Sequence, residues 1–153
     1  MSSQTLVVAA SKVALDLLRS DELPDVAASA IEAGYDSPSL RTLAGLIPAD
    51  AGVAKMLFCQ ALAELRLDPI SKREAVVCLA RETAKEILSE TVDPQTGANK
   101  IWRLSLLIPD EPFPELDSFV YAASEWDDRP EDYDVFEEGV LVAAESLLRV
   151  RQV

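Results

Sequence analysis

The feature that most constrains the fold is punctuation. Apolar residues three and four apart recur along almost the whole chain, and each run is bracketed by capping residues, prolines or glycine. That spacing stacks side chains on one face of a helix, whereas a strand would need alternation. Residues 5 to 19 place Leu6, Ala9, Val13 and Leu17 on such a face and predict a first helix. Glu22 to Ala33 carries Leu23, Val26, Ala27, Ala30 and Ile31 and stops at Gly34, which predicts a second. Ser37 before Pro38 predicts a capped third helix ending before Pro48.

From Ala49 to Arg66, Val53, Leu57, Ala61 and Leu65 form one row beside Ala54, Phe58 and Leu62, which predicts a largely buried helix. Ser71-Lys72-Arg73-Glu74 has the capping-box pattern and opens a run through Val76, Ala80, Ala84 and Ile87. Asp93-Pro94 starts another element. Trp102, Leu104, Leu106 and Ile108 alternate within it as a strand would, but helix is the preferred reading for 98–108. Pro114 to Trp126 and Asp132 to Arg149 complete the series. Seven or eight helices with short connections make an all-α fold. No long polar linker divides the chain, so residues 1–153 are expected to form a single compact domain. Stacked helical hairpins are one arrangement open to the first half.

Composition then narrows function. The 153 residues contain no histidine, 27 acidic and 14 basic side chains, and a formal charge of -13. Without histidine, the Ser-His-Asp and Cys-His mechanisms and histidine-ligated zinc are closed, and the commonest general base near neutral pH is missing. The five glycines are scattered singly, with no phosphate-cradling loop. A strongly acidic chain repels nucleic-acid phosphates. Cys59 and Cys78 lie in apolar surroundings and read as reduced core thiols. No apolar run approaches the roughly 18 to 20 residues of a membrane span, and the charges spaced through the start do not suit a secretory leader, so a cytoplasmic protein is expected.

Charge is not spread evenly. Residues 110–138 hold twelve acidic side chains against Arg129 alone, a net of −11, together with six of the nine aromatics. Phe119 and Phe136 fall on inward helical faces. Tyr121, Trp126 and Tyr133 lie off those rows or flank the connection DDRPED. Amphipathic rings beside carboxylates are the material of binding hot spots, because the ring fills a pocket while the charge orients the partner. Tyr121, Glu125, Trp126, Asp127, Asp128, Glu131, Asp132, Tyr133 and Asp134 are therefore the candidate partner-binding residues. The competing reading is a solvated acidic face with Trp126 folded back over the core. The acids lack the spacing of a calcium loop, and Arg129-Pro130 interrupts them, so neither a metal nor any other cofactor is expected, and no catalytic residue is assigned.

GYDSPSLRTLAGL and YAASEWDDRPEDYDVFEEGVLVAAESLL resemble small bacterial helical proteins, similar in style to the immunity proteins that neutralise polymorphic toxins. That resemblance carries over no catalytic residue and implies an inhibitory binding partner. Three functions stay open at this point. They are an acidic module that masks a basic protein surface such as a toxin domain, a structural or adaptor module binding a peptide or protein, and a carboxylate-based metal-dependent protein.

Overall fold

A computed structural model describes residues 2–149, with side chains from residue 6 onward. Among the described residues there are eight α-helices and no strand. They are α1 (Ser2–Ala14), α2 (Leu23–Glu32), α3 (Pro38–Ala44), α4 (Ala54–Glu64), α5 (Lys72–Leu88), α6 (Pro94–Ser105), α7 (Asp117–Glu125) and α8 (Tyr133–Arg149). Single 3-10 turns lead into α2, α4, α7 and α8. The segment that alternated like a strand is helical as far as Ser105. Contacts gather the chain into two compact units, Met1–Ala75 and Val76–Val153.

Helix starts are where the capping residues put them. Ser37 Oγ accepts from the Leu40 N–H at 3.1 Å, and Asp93 Oδ1 accepts from the Thr96 N–H at 3.0 Å. At α5 the Glu74 N–H donates to Ser71 Oγ, and that hydroxyl in turn donates to the Glu74 carboxylate, both at 3.1 Å. Each satisfies a donor that the first turn leaves without an intrahelical partner.

Helix ends follow a rule that composition conceals. α1, α2, α4 and α5 each close on a residue with positive φ: Asp16 (60°), Gly34 (106°), Arg66 (60°) and Glu90 (63°). The N–H one position further on reaches back five residues, as in Leu17 to Lys12 O at 2.8 Å and Leu67 to Leu62 O at 2.9 Å. This is the Schellman arrangement, in which a left-handed residue turns the chain so that orphan carbonyls are capped. It ends α1 at Ala14 rather than at residue 19, and it ends α4 before Arg66.

In the first unit the core is built from Leu6, Leu23, Ala27, Leu40, Leu43, Ala54, Phe58 and Ala61. α2 packs on both α3 and α4. The expectation of a largely buried helix over 49–66 is corrected. Pro48–Val53 is a 3-10 turn, and α4 buries only Ala54, Phe58 and Ala61. Val53, Met56 and Gln60 are exposed, while Leu57 and Leu65 are half-buried. Cys59 shares that outer face and is exposed, contrary to its reading as a core thiol, whereas Cys78 is buried. Burial is shared between the two rows, since Ala54 and Phe58 come from one and Ala61 from the other, while Leu57, Leu62 and Leu65 pack half-buried against the core.

In the second unit Ile101, Leu116, Phe119, Phe136, Val140, Ala144 and Leu147 are buried. α6 and α7 pack closely, and α8 lies against both. Arg81 on α5 donates to the Leu147 and Leu148 carbonyls, closing the C-terminal end of α8 with a cation where the helix dipole favours one. Gly97 on α6 is where α5 comes close, since a Cβ there would overlap the buried Ile87 side chain.

Candidate functional site

The part of the acidic stretch that carries the candidate residues, 121–134, folds as the latter half of α7, a three-residue 3-10 turn at Pro130–Asp132, and the start of α8. Proline at 130 cannot continue a helix from α7, so the chain bends there, and the Asp128 and Arg129 N–H groups both donate to Glu125 O at 3.1 Å. All of the candidate residues are thereby brought onto one connection and the two helix ends beside it.

The structure divides them by exposure. Asp127, Asp128, Glu131 and Asp134 are exposed, and Glu125 and Asp132 are half-buried. Tyr121 is 54% exposed and Tyr133 39%, but Trp126 is 2% exposed. Trp126 therefore belongs to the core, as the competing reading had it, and does not offer its ring to a partner. Its place follows from spacing, because Phe119, Ala122 and Trp126 are three and then four residues apart on the buried face of α7. The Trp126 Nε1 has no hydrogen-bond partner among the described residues.

Four rings meet under the acids. Trp126 and Tyr133 stand edge to face at a centroid distance of 5.2 Å, and Trp126 and Tyr121 each lie 5.9 Å from Phe136. Such pairs add to burial through the ring quadrupoles. Arg129 closes the cluster. Its guanidinium sits 5.3 Å from the Phe136 ring centre, donates to Asp132 Oδ2 at 2.6 and 3.0 Å, and donates to the Tyr121 hydroxyl at 2.9 Å. The hydrogen bond to Asp132, then the one to Tyr121, hold its pKa above the usual arginine value. The sole base of the stretch, its side chain 43% exposed, thus ties the connection to α7 and α8. Asp127 is anchored from α6, where Gln95 Nε2 donates to its carboxylate at 3.0 Å.

What remains outward is a set of carboxylates flanked by two tyrosine edges on a braced turn. Among the described residues no group of three or more cysteine, aspartate or glutamate side chains is disposed to hold a metal ion. No described helix is long and apolar enough to cross a membrane.

Sequence reasoning missed a second surface beside the first. Val135 is 68% exposed and Val142 56%, and both line a groove of about 590 Å³ between α8 and the segment carrying Glu115 and Ser118. The signal was present. α8 holds more apolar residues between 135 and 148 than one buried face can accept, so some had to face outward.

Comparison with protein-family models, curated proteins and solved structures finds no match.

Proposed function

We propose that this protein is a binding module that masks a basic surface on another protein, and that its biological role is that of an immunity-type inhibitor of a bacterial toxin. The observation that carries the reading is the braced turn at 126–134. Exposed Asp127, Asp128, Glu131 and Asp134 stand beside the exposed edges of Tyr121 and Tyr133, while the local cation is tied to Asp132 and the Tyr121 hydroxyl. A surface ordered before contact binds with less loss of conformational freedom, and clustered carboxylates accelerate encounter with a cationic partner. A nuclease toxin suits this best, since its cleft must be cationic to hold phosphates. No step of the role needs a catalytic residue or cofactor, and the protein would act in the cytoplasm. An adaptor that binds a peptide, its acids serving solubility, is the second reading, and the groove along α8 favours it.

The test is kinetic. The partner is isolated from the native cell, and association is followed by surface plasmon resonance at several salt concentrations. Asp127→Lys with Asp128→Lys is expected to slow association and flatten its salt dependence, because summed charge acts on the encounter step. Tyr133→Ala is expected to act chiefly on dissociation. Unchanged rate constants in both variants would reduce the acidic stretch to a solvated face.

A further inference from the structure

We propose that an apolar cavity in the first unit binds a small primary amine with a hydrocarbon body of about six carbons. This goes beyond the reading above and does not rest on it. The cavity measures about 220 Å³ and is lined from α1, the end of α4, the loop that follows and the first turn of α5. Its position follows from the way α4 closes. Arg66 is left-handed and the Leu67 N–H returns to Leu62 O at 2.9 Å, so the helix stops and a loop runs from Leu67 to the Ser71 cap of α5. Exposure grades the lining from inside to outside. Leu6 and Ala10 are buried and form the floor, while Val7, Leu62, Leu67 and Ile70 are half-buried and form the walls. Asp68, Pro69 and Glu74 are exposed and form the mouth.

Size sets the occupant first. An apolar cavity of about 150 Å³ already admits benzene, so this one takes a body of about six carbons. A helix, about 10 Å across, does not enter it. The graded lining sets the orientation, with hydrocarbon on the floor and any polar group at the mouth. The two carboxylates there set the sign of that group. Asp68 has no hydrogen bond or ion pair among the described residues, and Glu74 gives only Oε1 to the Ser71 hydroxyl. No basic side chain lines the cavity among the described residues. An ammonium group at the mouth meets both acids, an alcohol meets them without charge, and a carboxylate is repelled. A lysine or arginine side chain of another protein has the wrong polarity, because it carries its charge at the tip and would bring it to the apolar floor.

The proposal is tested on the whole chain by methyl NMR, titrating n-hexylamine, n-butylamine, methylamine, hexan-1-ol and hexanoate at low salt. Hexylamine is expected to shift the methyls of Leu6, Val7, Leu62, Leu67 and Ile70 saturably. It is expected to bind about threefold tighter than hexanol, within the range for exposed ion pairs, and hexanoate more weakly than either. Losing two methylenes, in butylamine, is expected to weaken binding about tenfold. Asp68→Asn with Glu74→Gln keeps the volume, and glutamine also serves in a capping box. That variant is expected to erase the advantage of the amine over the alcohol and leave alcohol binding unchanged. Val7→Phe fills the cavity and is expected to abolish binding of both, with circular dichroism and thermal unfolding checking the fold. Should it not fold, the dependence on chain length in the native protein decides the same point. Equal binding of amine and alcohol overturns the amine, and no saturable shift from any of the five overturns the site. Methylamine shifts equal to those of hexylamine, hexylamine shifts confined to 110–138, or undiminished binding by folded Val7→Phe place the amine on surface acids and overturn the cavity.

Discussion

Arg129 and Trp126 show how neighbouring residues in one acidic turn take opposite roles from those their types suggest. The arginine, the residue type most expected to reach solvent, is held by Asp132, Tyr121 and the Phe136 ring. The tryptophan, placed by its neighbours in a charged loop, is buried and leaves a polar N–H without a partner among the described residues. Such a donor detracts from stability, yet the ring fills the junction of α7 and α8, and deleting it opens a cavity. Trp126→Ala is expected to destabilise by about 3 to 5 kcal/mol in urea unfolding, the range for large aromatics in packed interiors. A change within about 0.5 kcal/mol would place the ring at the surface. Glu64 supplies a pH-dependent contact. Its carboxylate accepts from the Ser39 hydroxyl at 2.6 Å and the Ser39 N–H at 3.0 Å, capping α3 from α4. Those two bonds, then one from Ser37, hold its pKa below the usual glutamate value. A depressed carboxylate stabilises fully above its unfolded pKa, and the contribution is lost as pH falls through the lower folded value. The melting temperature of the native protein is therefore expected to fall more steeply than that of Glu64→Gln below about pH 4.5, the region of an unperturbed glutamate. Parallel curves would show that the cap adds nothing.

At the scale of elements, beginnings were legible and ends were not. Ser37, Ser71 and Asp93 announce helix starts because a short side-chain oxygen before an apolar row has one common use. Asp16, Arg66 and Glu90 announce nothing. Glycine is the ordinary sign of a left-handed closing residue, and only Gly34 gives it. The other three closures are imposed by packing on residues whose Cβ disfavours them, at roughly 1 to 2 kcal/mol each. Glu90 adds a negative charge at the end of α5, where the helix dipole disfavours one. Glu90→Gly is therefore expected to raise stability by about 0.5 to 1 kcal/mol, the remainder being offset by the greater freedom of glycine in the unfolded chain. Chemical denaturation measures it, and a loss of stability would mean that the glutamate side chain makes a contact worth more than the strain. Burial was legible at Phe119 and Phe136, which fall on inward rows and are buried. It was not legible where two rows ran side by side. On α4 Ala54, Phe58 and Ala61 are buried while Val53 and Met56 are exposed, and which residues of two adjacent rows the neighbouring helices cover is absent from local spacing. The candidate site divides in a similar way: its acids and both tyrosines were found from composition, Trp126 could be placed from its spacing to Phe119 and Ala122, and which valines of α8 face outward needed the packing.

For the whole molecule, the formal charge of −13 acts on folding and on binding with opposite signs. Within one chain the crowded carboxylates of 110–138 repel one another, which disfavours the compact state, while toward a cationic partner the same field accelerates encounter. Salt separates the two. Raising ionic strength from about 10 mM to about 100 mM shortens the screening length from about 30 Å to about 10 Å. Repulsion across the stretch then weakens, and so does steering. The melting temperature of the free protein is expected to rise over that interval by about 2 to 4 °C, the shift that roughly 1 kcal/mol produces in a chain of this size. Association with the proposed cationic partner is expected to slow over the same interval. Asp128→Asn combined with Glu138→Gln removes two exposed charges, neither of them in the first turn of α8. This variant is expected to start from a higher melting temperature at low salt and to gain less on salt addition. Differential scanning calorimetry at matched ionic strengths makes the comparison. A melting temperature that falls with salt in the native protein would mean that its ion pairs, such as Lys55 with Asp16 at 2.8 Å, outweigh the repulsion of the acidic stretch. The repulsion within the −11 segment would then be a lesser cost to folding than the ion pairs are a gain.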